Sequence, residues 1–470
     1  MRTTRTTRTA RTGRTALRTR RAALAAAAAG ALALAGCGDG DGGAGEPAGS
    51  GGTQPTSGAE TVRLPRLDGQ KLQVVAVWTG PEQQAFSKVL DEFERRTGAE
   101  VSYIPTQDAM LNYIGTKIAG GAPPDVAMLQ QVGALHQAVE REWARPAGAA
   151  TKDQLAKNYA KGWRDLGAVD GTQYGVYFKA ANKSLVWYNT AVFENAGVSA
   201  SDTPRTWKEF LATAETISAS GVTPVSVGGA DGWTLTDWFE NVYLSQAGPR
   251  KYDQLAKHEI KWTDPSVKRA LTTLAELFGK PDLIAGGAAG ALQTEFPASV
   301  TQTFTGGDQP KAAMVFEGDF VSINIGQTEA KVGTDAKVFP FPAAGAQAPV
   351  VTGGDVAVAL TDKPAAQALL TFLASPDAAR VWAAQGGFIS PNKSLDPAAY
   401  PNDVQRDIAK ALIAAGDEFR FDMSDQMPQS FGGTPGKGEW KALQDFLKNP
   451  KDVAGTQQRL EADAAKAFKD

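Results

Sequence analysis

The pattern of apolar and polar positions divides the chain into alternating short apolar runs and amphipathic stretches. Leu72 to Val77 is a nearly continuous apolar run bounded by polar residues, which predicts a buried strand. Glu82 to Thr97 places Phe86, Val89, Leu90 and Phe93 on one face at helical spacing, with Gly98 as the stop. Val101 to Ile104 reads as a second strand, Asp108 caps a second helix that ends at Gly120-Gly121, and Asp125 to Leu129 is a third strand. This β-α-β-α-β order predicts a parallel sheet with right-handed crossovers. Residues just past the C-terminal ends of such strands face a ligand crevice. Here they are Trp78-Thr79, Pro105 to Gln107, and Gln130-Gln131. An aromatic ring, a hydroxyl and several amides suit a neutral polyhydroxy ligand; the alternatives are a core or lid role for Trp78 and a solvated loop for each glutamine.

The stretch Tyr174 to Asn189 separates two such units. It opens apolar (Tyr174, Val176, Tyr177, Phe178), turns polar at Lys179 and Asn182, and resumes from Leu185 to Tyr188, which predicts two strands joined by a polar connector. Beyond it, Thr206-Trp207-Lys208-Glu209 has the form of a capping box that opens a helix to about Ser220, followed by a strand from Thr223 to Val227. The glycine-rich loop Gly228 to Trp233 then leads to Thr236, read as a helix cap. That places Trp233 and Asp237 at or just before a helix N-terminus, where a ring, a carboxylate and free N–H groups coincide. Of Trp233 and Trp238, at least one is expected to face a ligand; the alternative is a structural role for both.

Asp264-Pro265 starts a helix that runs through Phe278. Met314 to Phe316 is a strand leading into Glu317-Gly318-Asp319-Phe320, and Val350 to Val358 is read as strand, Gly353-Gly354, strand, the glycines allowing close approach of backbone to ligand. Leu369 to Phe372 and Ser375 to Gln385 are helices, and the C-terminal part is helical. The loop Gly432 to Gly438 lacks the first glycine and the Ser/Thr of a phosphate-binding loop.

Charge changes the reading of the N-terminus. Residues 1–36 carry eight arginines and no acidic residue, so their removal takes the formal charge from -3 to -11. An acidic mature chain argues against nucleic acid as a partner. Ala22 to Gly36 is an apolar segment of signal-peptide length, ending Leu34-Ala35-Gly36-Cys37. Small residues before a cysteine resemble a bacterial lipobox, with Cys37 as the lipidated new N-terminus; the alternative is a general secretory signal with an incidental cysteine. Cys37 is the sole cysteine, so once lipidated it leaves none for disulfides, thiol catalysis or zinc. Residues 37–70 then form a flexible tether. The match to G-x-G-x-x-G at Gly38, Gly40 and Gly43 lies in this tether, with no strand before it and no helix after it.

The lipobox, the tether, KAANKSLVWYN with Val192 to Val198, TPRTWKEFLATAETI, MVFEGDF, VVTGGDVAVAL and GGFISPNKSL, taken in order, resemble an extracellular solute-binding protein of family 1. These are carbohydrate-binding lipoproteins of ABC importers, and KSLVWY with TDWFEN is most similar to the α-glucoside-binding members. The resemblance runs from about Lys71 to the C-terminus. It implies an α/β fold of the type II periplasmic-binding-protein kind, with two lobes, each a mostly parallel sheet flanked by helices, closing on a sugar. Lobe 1 is expected at 71–179 and 338–386, and lobe 2 at 181–336 and 388–470. The family's cleft contacts fall on Trp78, Gln107, Gln130, Gln131, Asn182, Trp233, Asp237, Trp238, Glu317, Gly354 and Asp355. Where the family often has proline before the crossing, this chain has Tyr177. The resemblance further implies a monomer held by its lipid on the extracytoplasmic face of the cell membrane, meeting the permease subunits, with no cofactor, metal or catalytic residue.

A secreted, lipid-anchored glycoside hydrolase is the rival reading, with Glu317 and Asp355 as its carboxylate pair. Neither a G-x-S-x-G elbow nor H-E-x-x-H occurs, and the two histidines, His136 and His258, read as solvated or structural. An adhesin or a chemosensory binding protein would share the fold and differ in partner.

Overall fold

The computed structural model describes residues 61–106, 110–199, 201–416 and 419–469. Cys37, the segment before it, the Asp108 cap and Gln107 lie outside the described residues. The tether expected up to residue 70 gives way to folded chain sooner. Val62 and Leu67 are buried, and the Val62 amide donates to Asp377 at 2.9 Å while its carbonyl accepts from Arg96.

In chain order, the elements that build the site begin with β1 (Lys71–Ala76), α1 (Gly80–Thr97), β2 (Glu100–Pro105), α2 (Met110–Ala119), β3 (Val126–Leu129) and α3 (Val132–Glu140). Next come β4 (Gly175–Asn182), β5 (Leu185–Asn189), α4 (Trp207–Ala219), β6 (Val225–Ser226) and α5 (Trp233–Ala256). The remainder are α6 (Phe296–Phe304), β7 (Met314–Glu317), β8 (Ala336–Pro340), β9 (Val351–Ala359), α7 (Pro364–Leu373), α8 (Pro376–Ala383), β10 (Arg420–Phe421) and α9 (Gly438–Lys448).

Local chemistry sets several of these boundaries. In α1, Pro81 and Glu82 occupy the first turn, and Gly98 closes the helix in the left-handed region, its N–H donating to Glu94 O. The α4 capping box forms as the sequence predicts, Thr206 and Glu209 each accepting the other's backbone N–H. α5 starts at Trp233 rather than after Thr236, whose hydroxyl donates to the Trp233 carbonyl.

Two main sheets organise the described residues. The first has the order β10-β9-β3-β1-β2, with β4 also paired to β9. β1 runs parallel to β2 and β3, as the crossover pattern requires, whereas β9 runs antiparallel to β3 and β4. The second has the order β8-β5-β7-β6. Here only β6 and β7 are parallel, a departure from the mostly parallel expectation, because β5 passes from the crossing into the second sheet and pairs antiparallel with both β7 and β8.

The crossing also differs in detail. β4 continues through Lys179 to Asn182, leaving Lys183-Ser184 as the connector. The segments follow their pairing partners rather than the expected boundaries. Val338 to Pro340 pairs with β5 in the second sheet, while Ile389 bridges Ala180, and β10 extends the first sheet beside β9. The chain from residue 388 therefore serves both sheets, packing Phe388, Ile389, Ile408, Leu412 and Phe421 with the first core and Phe431, Leu443, Phe446 and Leu460 with the second.

Candidate functional site

The ends of β1 and β3, the crossing from β4 to β5 and the first half of β9 converge on a cavity of about 470 Å³. β4 supplies Lys179 and Ala181 to its wall, and β9 supplies Gly353, Gly354 and Asp355. β9 is a single strand through both glycines, and its register with β4 shifts between Asp355 and Val356, where Phe178 of β4 is the extra, unpaired residue. A Cβ at Gly354 would lie 2.7 Å from the Lys179 carbonyl oxygen and 3.1 Å from the Tyr177 ring, so this glycine first of all lets two strands meet closely.

Aromatic rings stand on both sides. Trp78, just beyond β1, is edge-on to Phe86 and Trp382 with centroids 4.9 Å away in each case. Trp233, the first residue of α5, forms a cluster with Phe296 and Phe320, which also line the cavity. Each side carries a lysine from the crossing. Lys179 Nζ lies 5.6 Å from the Trp78 centroid and Lys183 Nζ 5.5 Å from that of Trp233, both in the range of cation–π attraction.

The lysines are neutralised by the protein itself. Lys179 pairs with Glu82 and lies near Asp355. Burial pushes Asp355 up to about 6 against the pull of Lys179, with the Glu82 charge adding to the rise. Lys183 pairs with Asp422, and its Nζ lies 3.3 Å from Asp237 and 4.0 Å from Asp425. Burial would lower the Lys183 pKa, but these carboxylates outweigh it and hold the lysine well above its ordinary range. Burial likewise opposes ionisation of Asp422, yet the Lys183 charge and hydrogen bond bring it down to about 2. Asp237, deeper in the wall, is pushed up to about 7, chiefly by burial.

Behind this wall Glu317, Glu240 and Glu439 are held well above the carboxylate range by burial first, then by neighbouring carboxylates. Asp237 Oδ2 and both Glu317 oxygens have no donor among the described groups. A proton retained on Glu317 supplies one, since it can donate to Asp237. Asp237, Glu240 and Asp422 have oxygens within 4.8 Å of one another. This set is engaged by the chain: Lys183 reaches two of its members, and Glu240 accepts from Tyr252 Oη and the Met423 and Ser424 amides.

Of the residues expected from the sequence, Trp78, Gln130, Gln131, Trp233, Gly354 and Asp355 line the cavity. Four others lie behind its surface. The Asn182 amide donates to Asp319 Oδ1 at 2.6 Å and its side chain accepts from the Ser184 amide, so it shapes the crossing turn. Asp237 anchors Lys183, and Glu317 sits beneath Asp237. Trp238 points into the second core, 4.6 Å from Phe316 and 5.7 Å from Phe341 between centroids. Consecutive helical positions diverge by about 100°, so Trp233 and Trp238 on one helix need not share a surface.

The structure adds Glu82, Lys179, Lys183, Phe296, Phe320, Asp425 and Trp440 to the lining. A lysine inside the apolar run Val176 to Ala181 is a legible signal of a buried, paired charge. No comparable signal marks Phe296 or Trp440, which reach the cleft from distant segments.

Two sheets linked by crossing strands, with a polar and aromatic cavity between them, define the two-lobed architecture of an extracytoplasmic binding protein. The model of the bacterial extracellular solute-binding protein family matches residues 78–380. The chain belongs to that family and is the solute-capturing component of an ABC transporter. It is 33% identical over 389 residues to the osmoprotective compounds-binding protein GgtB of Synechocystis sp., covering 81% of this chain and 89% of the relative. It is also 33% identical over 410 residues to the alpha-glucosides-binding periplasmic protein AglE of Rhizobium meliloti, covering 84% and 87%. Among solved structures, the solute receptor AcbH superposes with a TM-score of 0.72 at 20% identity, covering 85% of this chain and 99% of the receptor. RafE, solved with raffinose, gives 0.67 at 18% identity, covering 85% and 99%. The family's members bind solutes rather than transform them.

Proposed function

We propose that this protein captures a neutral sugar of the α-glucoside class in the cavity between its two sheets and presents it to the membrane permease. The observation that carries this reading is a cavity walled by Trp78 on one side and Trp233 on the other, with both lysines already paired to the chain's own carboxylates. A site whose charges are internally compensated favours an uncharged, hydroxyl-rich ligand over an ion. Indole faces stack on sugar C–H faces, while Gln130, Gln131, Asp355 and Asp425 satisfy hydroxyls. The name of one relative at 33% identity, the alpha-glucosides-binding periplasmic protein AglE, supports the α-glucoside class.

In this reading lobe 1 gathers around the first sheet and lobe 2 around the second, and binding across both shifts the open–closed equilibrium by the ligand's preference for the closed state. Cys37 carries the lipid that keeps a monomeric protein at the outer face of the membrane. Calorimetry against maltose, trehalose and sucrose, with cellobiose and glucose as controls, tests the proposal. One-to-one binding of an α-glucoside, recovered intact by chromatography, is the expected result. Recovery of cleaved sugar, or binding of none of the α-glucosides, overturns it.

A further inference from the structure

Beside the cleft lies a second cavity of about 660 Å³, within the size range of ligand sites. It lies where α2 and α3 of the first sheet face the short turns and loop that precede α9. The two cavities share a wall made of Val77, Gln130, Gln131 and Trp440. Their chemistry differs. The cleft carries paired lysines and carboxylates, whereas the second cavity offers Asn112, Gln137, Gln429 and Thr434, with Arg141 as its charged lining residue.

The shared wall is built to hold a polar aromatic partition. Gly232, at φ +85°, backs Trp440, and a Cβ there would stand 2.9 Å from Trp440 Cβ and 3.2 Å from the ring. Gln131 lies against Gly433, where an added Cβ would come within 2.3 Å of its amide nitrogen. Trp440 Nε1 is buried and donates to no acceptor among the described residues. That N–H is turned away from accessible space, so what Trp440 offers the two cavities is the remainder of its side chain.

Resting on the sugar-binding reading above, we propose that the second cavity is a second ligand chamber. It takes the further glycosyl units of an oligosaccharide whose first units occupy the cleft, with Trp440 as the ring they pass. Strict recognition resides in the charged cleft, and the amide-lined chamber adds affinity with chain length.

The test is calorimetry on the purified full chain with two series, maltose to maltotetraose and sucrose to stachyose, for wild type and Gln137→Trp. Gln137 lines the second cavity alone, and a tryptophan there fills it. In wild type, affinity should rise about fivefold or more from the disaccharide to the tri- or tetrasaccharide of one series, about one net hydrogen bond. The variant should keep the disaccharide Kd within about twofold while losing that rise. Ser430→Trp, from the opposite wall, serves the same purpose if the first variant does not fold. Disaccharide binding with no gain in length, or a gain that survives both fillings, overturns the chamber and leaves the sugar reading intact. Absence of binding in both series overturns the sugar reading, and the chamber with it.

Discussion

Replacing Lys183 with methionine should expose how the second-sheet wall holds its charge. The side chain of Lys183 is 12% exposed, and those of Asp422 and Asp237 are 1% and 0% exposed. Methionine preserves most of the volume, so the loss is electrostatic. Asp422 would then either remain a buried anion without its cation or take up a proton. At pH 7 the second course means protonating a carboxyl of ordinary pKa near 3.9, about three units away, which costs about 4 kcal/mol at ~1.36 kcal/mol per unit. That figure caps the penalty, and it agrees with the ~3–5 kcal/mol typical of breaking a buried pair. The cap falls as the pH approaches 4, where protonation is nearly free. Guanidinium denaturation of ligand-free protein should give a loss of about 3–4 kcal/mol at pH 7, shrinking to about 1 kcal/mol near pH 4.5. A loss that is the same at both pH values, or below about 1 kcal/mol at pH 7, would refute the ion-pair account.

Asp319, pushed up to about 7 mainly by burial, and Asp355, up to about 6, bind protons in the native state that the unfolded chain has already released. Their contribution is complete below the unfolded value near 4 and is lost as pH rises through about 6 to 7. Asp319→Asn should therefore flatten the fall in Tm between pH 5 and pH 8, and an unchanged slope would count against it. Trp238→Ala should destabilise by about 3–5 kcal/mol in thermal unfolding, as an aromatic deletion in a core. Trp233→Ala should instead cost at least about tenfold in sugar affinity by calorimetry with a smaller loss of stability. Thr206→Ala should cost about 1 kcal/mol in denaturant unfolding by removing the α4 cap, with sugar affinity unchanged.

Much of the framework was legible because it is local. The apolar face of α1, its Gly98 stop, the Thr206 to Glu209 box and the parallel direction of β1, β2 and β3 all follow from spacing within a few tens of residues. The first-sheet wall of the cleft was legible for the same reason, since Trp78 and Gln130 sit just past strands whose ends define the crevice. Family resemblance supplied the two-lobed plan and the sugar class, and it overreached at Trp238, where helical geometry turned the ring into the core.

Sequence by itself determined the strand and helix order, the acidic charge of the chain after residue 36, and the glycines that punctuate its turns. Tertiary structure alone decided which segments share a sheet: β9 beside β3, β10 beside β9, and β5 between β7 and β8 in a largely antiparallel second sheet. It also decided that Lys183 meets Asp422, 239 residues away, and that Trp440 stands between two cavities. The physical reason is that pairing and burial depend on partners brought together in space. Periodicity records only how one segment presents its own faces, whereas a buried charge or an indole at a cavity wall is defined by what lies opposite it.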